Sequence, residues 1–113
     1  MLRDNGLVHV PAGFINQTEV EKAIDQVIAK LGPEVVRVRY NIGTDSTGDT
    51  ALFFRVVLAD SVAVDRKTFV DTAARVRATL REQLQSLENW GLFPYFNFRG
   101  NAENAQLSDP KWT

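Results

Sequence analysis

The chain has 113 residues, 44% apolar and 24% charged, with a formal net charge of -1. That composition describes one ordinary globular domain, residues 1–113, without a global attraction to nucleic acid or to an anionic membrane. The absence of cysteine excludes disulfides, thiolate metal sites and cysteine nucleophiles together.

No run approaches the roughly 20 apolar residues that span a bilayer. The opening "MLRDNGLVHV" carries charge and glycine where a signal peptide needs an unbroken apolar stretch. The expected location is therefore the cytoplasm. Residues 1–15 read as an irregular arm, in which "LVHVP" at 7–11 is a strand only if it finds a sheet to pair with.

"NQTEVEKAIDQVIAKLGP" at 16–33 is a predicted helix, with Val20, Ile24, Val27 and Leu31 at helical spacing and Ala23 and Ile28 widening the stripe. Asn16 with Glu19, or Thr18 with Glu21, fits a capping box. Gly32 and Pro33 mark its end.

"EVVRVRYNI" at 34–42 then changes to a period of two, and "ALFFRVVLA" at 51–59 repeats it. An antiparallel hairpin is the simplest pairing across the short loop. A second, longer helix is predicted over 64–91, with Phe69, Ala73, Val76, Leu80, Leu84 and Leu87 as its stripe. Asp65 is its expected cap, Asp71 and Arg75 an expected ion pair, and Gly91 its stop. "LFPYFNFR" at 92–99 is a short aromatic strand that Pro94 assigns to a sheet edge or bulge. The tail at 100–113 is polar and expected to be irregular, with Trp112 tucking it back.

The resulting order is α-β-β-α-β, or β-α-β-β-α-β if 7–11 pairs. It implies an α+β, ferredoxin-like two-layer sandwich with an antiparallel sheet and both helices on one side.

The loop at 43–50 offers Asp45 and Asp49 as cation ligands. Counted from Asp45, the sixth position is Thr50 and the twelfth Val56, where a calcium loop requires glycine and a bidentate glutamate. The loop is therefore read as a bend, with Asp45 and Asp49 making turn hydrogen bonds and Gly43 and Gly48 supplying positive φ. His9 is the sole histidine, so a hydrolase or metal enzyme would have to use it with Asp45 and Asp49. No phosphate loop, metal spacing or nucleophile elbow accompanies these residues. No catalytic residue, metal or cofactor is assigned.

Strand parity points elsewhere. With Val36, Val38, Tyr40, Ile42, Leu52, Phe54, Val56 and Leu58 under the helices, joined by Phe96 and Phe98, the opposite face displays arginines among aromatic rings. The residues expected to form a contact surface are Arg37, Arg39, Phe53, Arg55, Tyr95 and Arg99. Such a face serves protein interfaces first and single-stranded RNA or DNA second. It can also be a solvated surface whose arginine stems shield apolar neighbours.

The segments "LGPEVVRVRYNIGTDSTGDTALFFRVVLAD", "GLFPYFNFR" and "DPKW" resemble a family of small uncharacterised bacterial proteins. That resemblance implies an accessory or antitoxin-like role beside small helical HEPN-type proteins, a class that includes toxin ribonucleases. It brings no catalytic residues. The element order is also similar to the cytoplasmic dimerisation domain of cation-efflux transporters, but the metal-binding histidines of those domains have no counterparts here. The expected function is a non-enzymatic interaction module, self-associating as a homo-oligomer or bound to a HEPN-type neighbour.

Overall fold

Asn16 opens the first helix in the computed structural model, which describes residues 16–107 and 109–112. Its side chain accepts the backbone N–H of Glu19 at 3.1 Å, so of the two expected caps Asn16 is the one used. Helix α1 (Gln17–Ile28) buries Val20, Ile24 and Val27. It then unwinds through shorter-range turn bonds at Lys30 and Leu31, before Gly32 is reached. The strand considered at 7–11, and His9, lie outside the described residues.

Strands β1 (Val35–Thr44) and β2 (Thr50–Leu58) form the predicted antiparallel hairpin. Three helices follow: α2 (Asp60–Ala63), α3 (Arg66–Leu84) and α4 (Ser86–Trp90). Strand β3 (Phe93–Gly100) then pairs with β2 in parallel, giving the order β1-β2-β3. The sheet is mixed and not the antiparallel one expected. A parallel partner requires a long crossover, which α2, α3 and α4 supply. The ferredoxin-like plan inserts a strand between the two that flank its second helix. Here β2 and β3 bond directly along their whole length, from Ala51↔Phe93 to Leu58↔Gly100. The described chain is thus an α+β protein of order α-β-β-α-β with a closed gap at that position.

Helices α1 and α3 cover one face of the sheet. Leu52, Phe54, Val56 and Leu58 from the central strand meet Val20, Ile24 and Val27 from α1 and Ala73, Val76, Leu80 and Leu84 from α3. Phe54 is fully buried and stacks on Phe96, with centroids 5.1 Å apart. Tyr40 reaches from this face toward Asp25 of α1 at 3.4 Å. Burial, aided by the Asp25 and Glu21 charges, pushes its phenol up to about 12.

The second helix differs from its prediction in one instructive way. Asp65 caps α3 as expected, accepting both the N–H (3.0 Å) and the hydroxyl (2.8 Å) of Thr68. The expected continuous helix, however, breaks at Gln85, whose φ of 46° is left-handed. That break turns Leu87 outward, 49% exposed, and brings Leu92 fully into the core. The buried Ser86 hydroxyl stabilises the corner by donating to the Leu92 carbonyl at 2.8 Å. Gly91, at φ 71°, ends α4 as predicted.

The Asp71–Arg75 pair is replaced. Lys67 bonds Asp71 at 2.9 Å, while Arg75 reaches Glu34 at 3.0 Å. A carboxylate ahead of β1 offers Arg75 a tertiary partner that a helix-only reading does not contain. The tail is also more ordered than expected, forming α5 (Asn101–Leu107) and a 3-10 turn at Pro110–Trp112. Trp112 does tuck back, and is 6% exposed.

Candidate functional site

Register places all six of the expected contact residues on one side of the sheet. Arg39 lies opposite Arg55, Asn41 opposite Phe53, and Arg37 opposite Val57. From the other edge, Tyr95 lies beside Phe53, Asn97 beside Arg55 and Arg99 beside Val57. Successive rows of this open face therefore read Arg37–Val57–Arg99, Arg39–Arg55–Asn97, Asn41–Phe53–Tyr95 and Gly43–Ala51–Phe93. Pro94 leaves this parity intact, because β3 is an edge strand that needs ladder bonds on one side alone.

The structure brings these residues together in three groups. Arg37, Arg39 and Arg55 share one end. Arg39 and Arg55 are direct cross-strand neighbours, an arrangement of like charges that weakens strand pairing unless an acceptor intervenes. Arg55 donates to Asn41 Oδ1 at 2.7 Å, which orients its guanidinium along the face.

The second group is aromatic. Phe53 and Tyr95 stack at 5.3 Å with 14° between their planes, and Phe93 meets Tyr95 edge-on at 5.0 Å. Gly43 makes room for this cluster. A Cβ there would lie 3.3 Å from both the Phe53 ring and the Asn41 amide nitrogen. Gly43 was expected to supply positive φ; it sits instead within β1, and that conformation is found at Gly48, with φ 91°.

The hairpin loop is tied into the same cluster. Asp45 Oδ1 accepts the Thr47 N–H (2.9 Å), the Thr47 hydroxyl (2.6 Å) and the Asp49 N–H (3.0 Å). Its other oxygen accepts the Tyr95 hydroxyl at 3.0 Å, across 50 residues of chain. The Thr47 hydroxyl, then Tyr95 and the two backbone donors, hold the Asp45 carboxyl at about 2. The same bond raises the Tyr95 phenol, assisted by partial desolvation and by the Asp45 and Asp49 charges. Among the described residues, no group of three His, Cys, Asp or Glu side chains is placed to hold a metal ion. The loop is a bend that also clasps β3.

Arg99 stands apart. It faces the chain's own C-terminal segment, with its guanidinium 4.1 Å from the centre of the Trp112 ring and 3.5 Å from Asp109. It belongs to the face by parity but not to the surface left open. Sequence reasoning missed this contact and the Tyr95–Asp45 clasp. An Asp-x-Thr turn signature was present for the loop, whereas nothing local aims Trp112 at Arg99.

No helix among the described residues is long and apolar enough to cross a membrane. No protein-family model, curated protein or solved structure matches the chain.

Proposed function

We propose that the chain is a non-enzymatic interaction module that self-associates through its open sheet face. The observation behind this reading is that charge changes sign along the strands about the aromatic row. From Asn41 in that row, Arg37 lies four residues one way and Asp45 four residues the other. At ~3.3 Å per residue each arm extends roughly 13 Å. A two-fold axis in the plane of the face, crossing the strands at Asn41, Phe53 and Tyr95, sets Arg37 of each copy over the Asp45–Asp49 hairpin of its partner. It also packs the two aromatic rows together, which is the self-complementarity that an isologous contact demands.

Size limits the affinity. Three strands ~4.8 Å apart and seven residues at ~3.3 Å cover roughly 300 Å², well under the ~800 Å² per partner of a standard interface. A weak, salt-sensitive dimer is expected. The antitoxin-like role implied by the resemblance would use the same surface against an acidic patch on a HEPN-type protein. Nucleic acid is disfavoured because the chain's net charge is -1, and affinity for a strand rests mostly on phosphate neutralisation.

Sedimentation velocity from about 10 μM to about 1 mM spans the range in which weak dimers dissociate. A concentration-dependent dimer is expected. Arg37→Glu and Asp49→Arg should each abolish it, and an equimolar mixture of the two variants should restore a heterodimer. A strict monomer throughout, or an Arg37→Glu chain that dimerises normally, would overturn the reading.

A further inference from the structure

The corner of the face around Arg99 holds a ligand already, and that ligand is the chain's own tail. Among the described side chains of residues 101–112, Trp112 alone is buried. Helix α5 buries none of its side chains. The segment is held by its Trp112 and Asp109 contacts to Arg99, by a long Arg99–Asn104 bond at 3.5 Å, and by the Ala102 N–H donating to Asp60 Oδ1 at 2.9 Å.

Arg99 uses both halves of its chemistry here. A guanidinium directs its N–H groups outward in its own plane, toward a carboxylate, while its flat face attracts an aromatic ring. Asp109 occupies the first position and Trp112 the second, three residues later. A simple anion would engage the donors and leave the face bare. Val57, which flanks Arg99 in register, is buried, and Arg37 lies beyond it in the same row.

The geometry points to a peptide-recognition corner on Arg99, selective for a partner segment with a carboxylate three residues before an aromatic ring, which the chain's own Asp109–Trp112 segment occupies in cis. Such a partner binds by displacing the tail. This goes beyond the dimer described above: it adds a second ligand class at the end of the face that the dimer's charge pairing does not require.

The test is an NMR chemical-shift titration of the full-length Trp112→Ala chain with a synthetic peptide of residues 106–113. Shifts centred on Arg99 and Val57 are expected. Binding to the unaltered chain should be at least about tenfold weaker, because a tethered segment competes at millimolar effective concentration. Adding Arg99→Lys to the Trp112→Ala chain, or replacing the peptide's tryptophan by alanine, should remove the shifts. Asp109→Lys frees the tail by charge reversal while leaving Trp112 in the chain, and gives the same expectations should Trp112→Ala not fold. Absence of shifts in a folded release variant, or equal binding to the unaltered chain, overturns the proposal. Because the titration reads the Arg99 corner and sedimentation reads the dimer, either result can fail without the other.

Discussion

Asp45 shows how much one half-buried surface residue can organise. Four donors converge on its carboxylate, and it is this crowding, not burial, that holds it at about 2 against an ordinary 3.8. A carboxyl that ionises more readily in the folded chain stabilises the fold in its charged form. Its contribution is therefore complete above pH ~4 and is lost as pH falls toward 2. Urea unfolding across that window should show the stability gap between the unaltered chain and Asp45→Asn narrowing as pH drops. A gap independent of pH would mean the clasp is not ionic. Phe54 is the contrasting case, fully buried and stacked on Phe96. Phe54→Ala should cost about 3–5 kcal/mol, read as a lower urea midpoint at unchanged slope.

Elements carry the next layer of consequence. The break between α3 and α4 rests on Gln85 in a left-handed conformation, which costs an L-residue about 1–2 kcal/mol and glycine almost nothing. Gln85→Gly should therefore raise stability by up to about 1 kcal/mol, after the entropy glycine adds to the unfolded chain; a fall in melting temperature would show that the Gln85 side chain itself holds the corner. Gly100 poses the opposite problem. It ends β3 against α2, and a Cβ there would come 2.8 Å from the Ala63 side chain. Gly100→Ala should cost about 1–3 kcal/mol by overpacking, with Ala63→Gly restoring part of the loss.

Across the whole molecule, protection should follow the layers. β2 is bonded on both sides and supplies four fully buried side chains to the core, whereas α5 buries none. Native-state hydrogen exchange should find β2 amides opening only with global unfolding and α5 amides opening far more cheaply. Equal protection in the two would contradict a lightly held tail. A tail released below the global unfolding energy is also the property that a displaceable segment at Arg99 requires.

The sequence by itself determined the local features: the Asp65 cap, the Gly91 stop, the hairpin, and, apart from the exposed Val36 at the register shift in β1, the division of each strand into an apolar and an arginine-bearing side. Those follow from periods of 3.6 and 2 and from capping chemistry, which act over a few neighbouring residues. It therefore put Arg37, Arg39, Phe53 and Arg55 on the side of the sheet where the register places them. Tertiary structure alone decided that β3 lies parallel and directly beside β2, that the second helix breaks so Leu92 replaces Leu87 in the core, and that Arg75 pairs with Glu34 instead of Asp71. It also decided that Tyr95 clasps Asp45 and that Trp112 takes Arg99. All but the helix break join residues from separate elements, and each is settled by which arrangement closes the tertiary structure, a condition no short window of sequence contains.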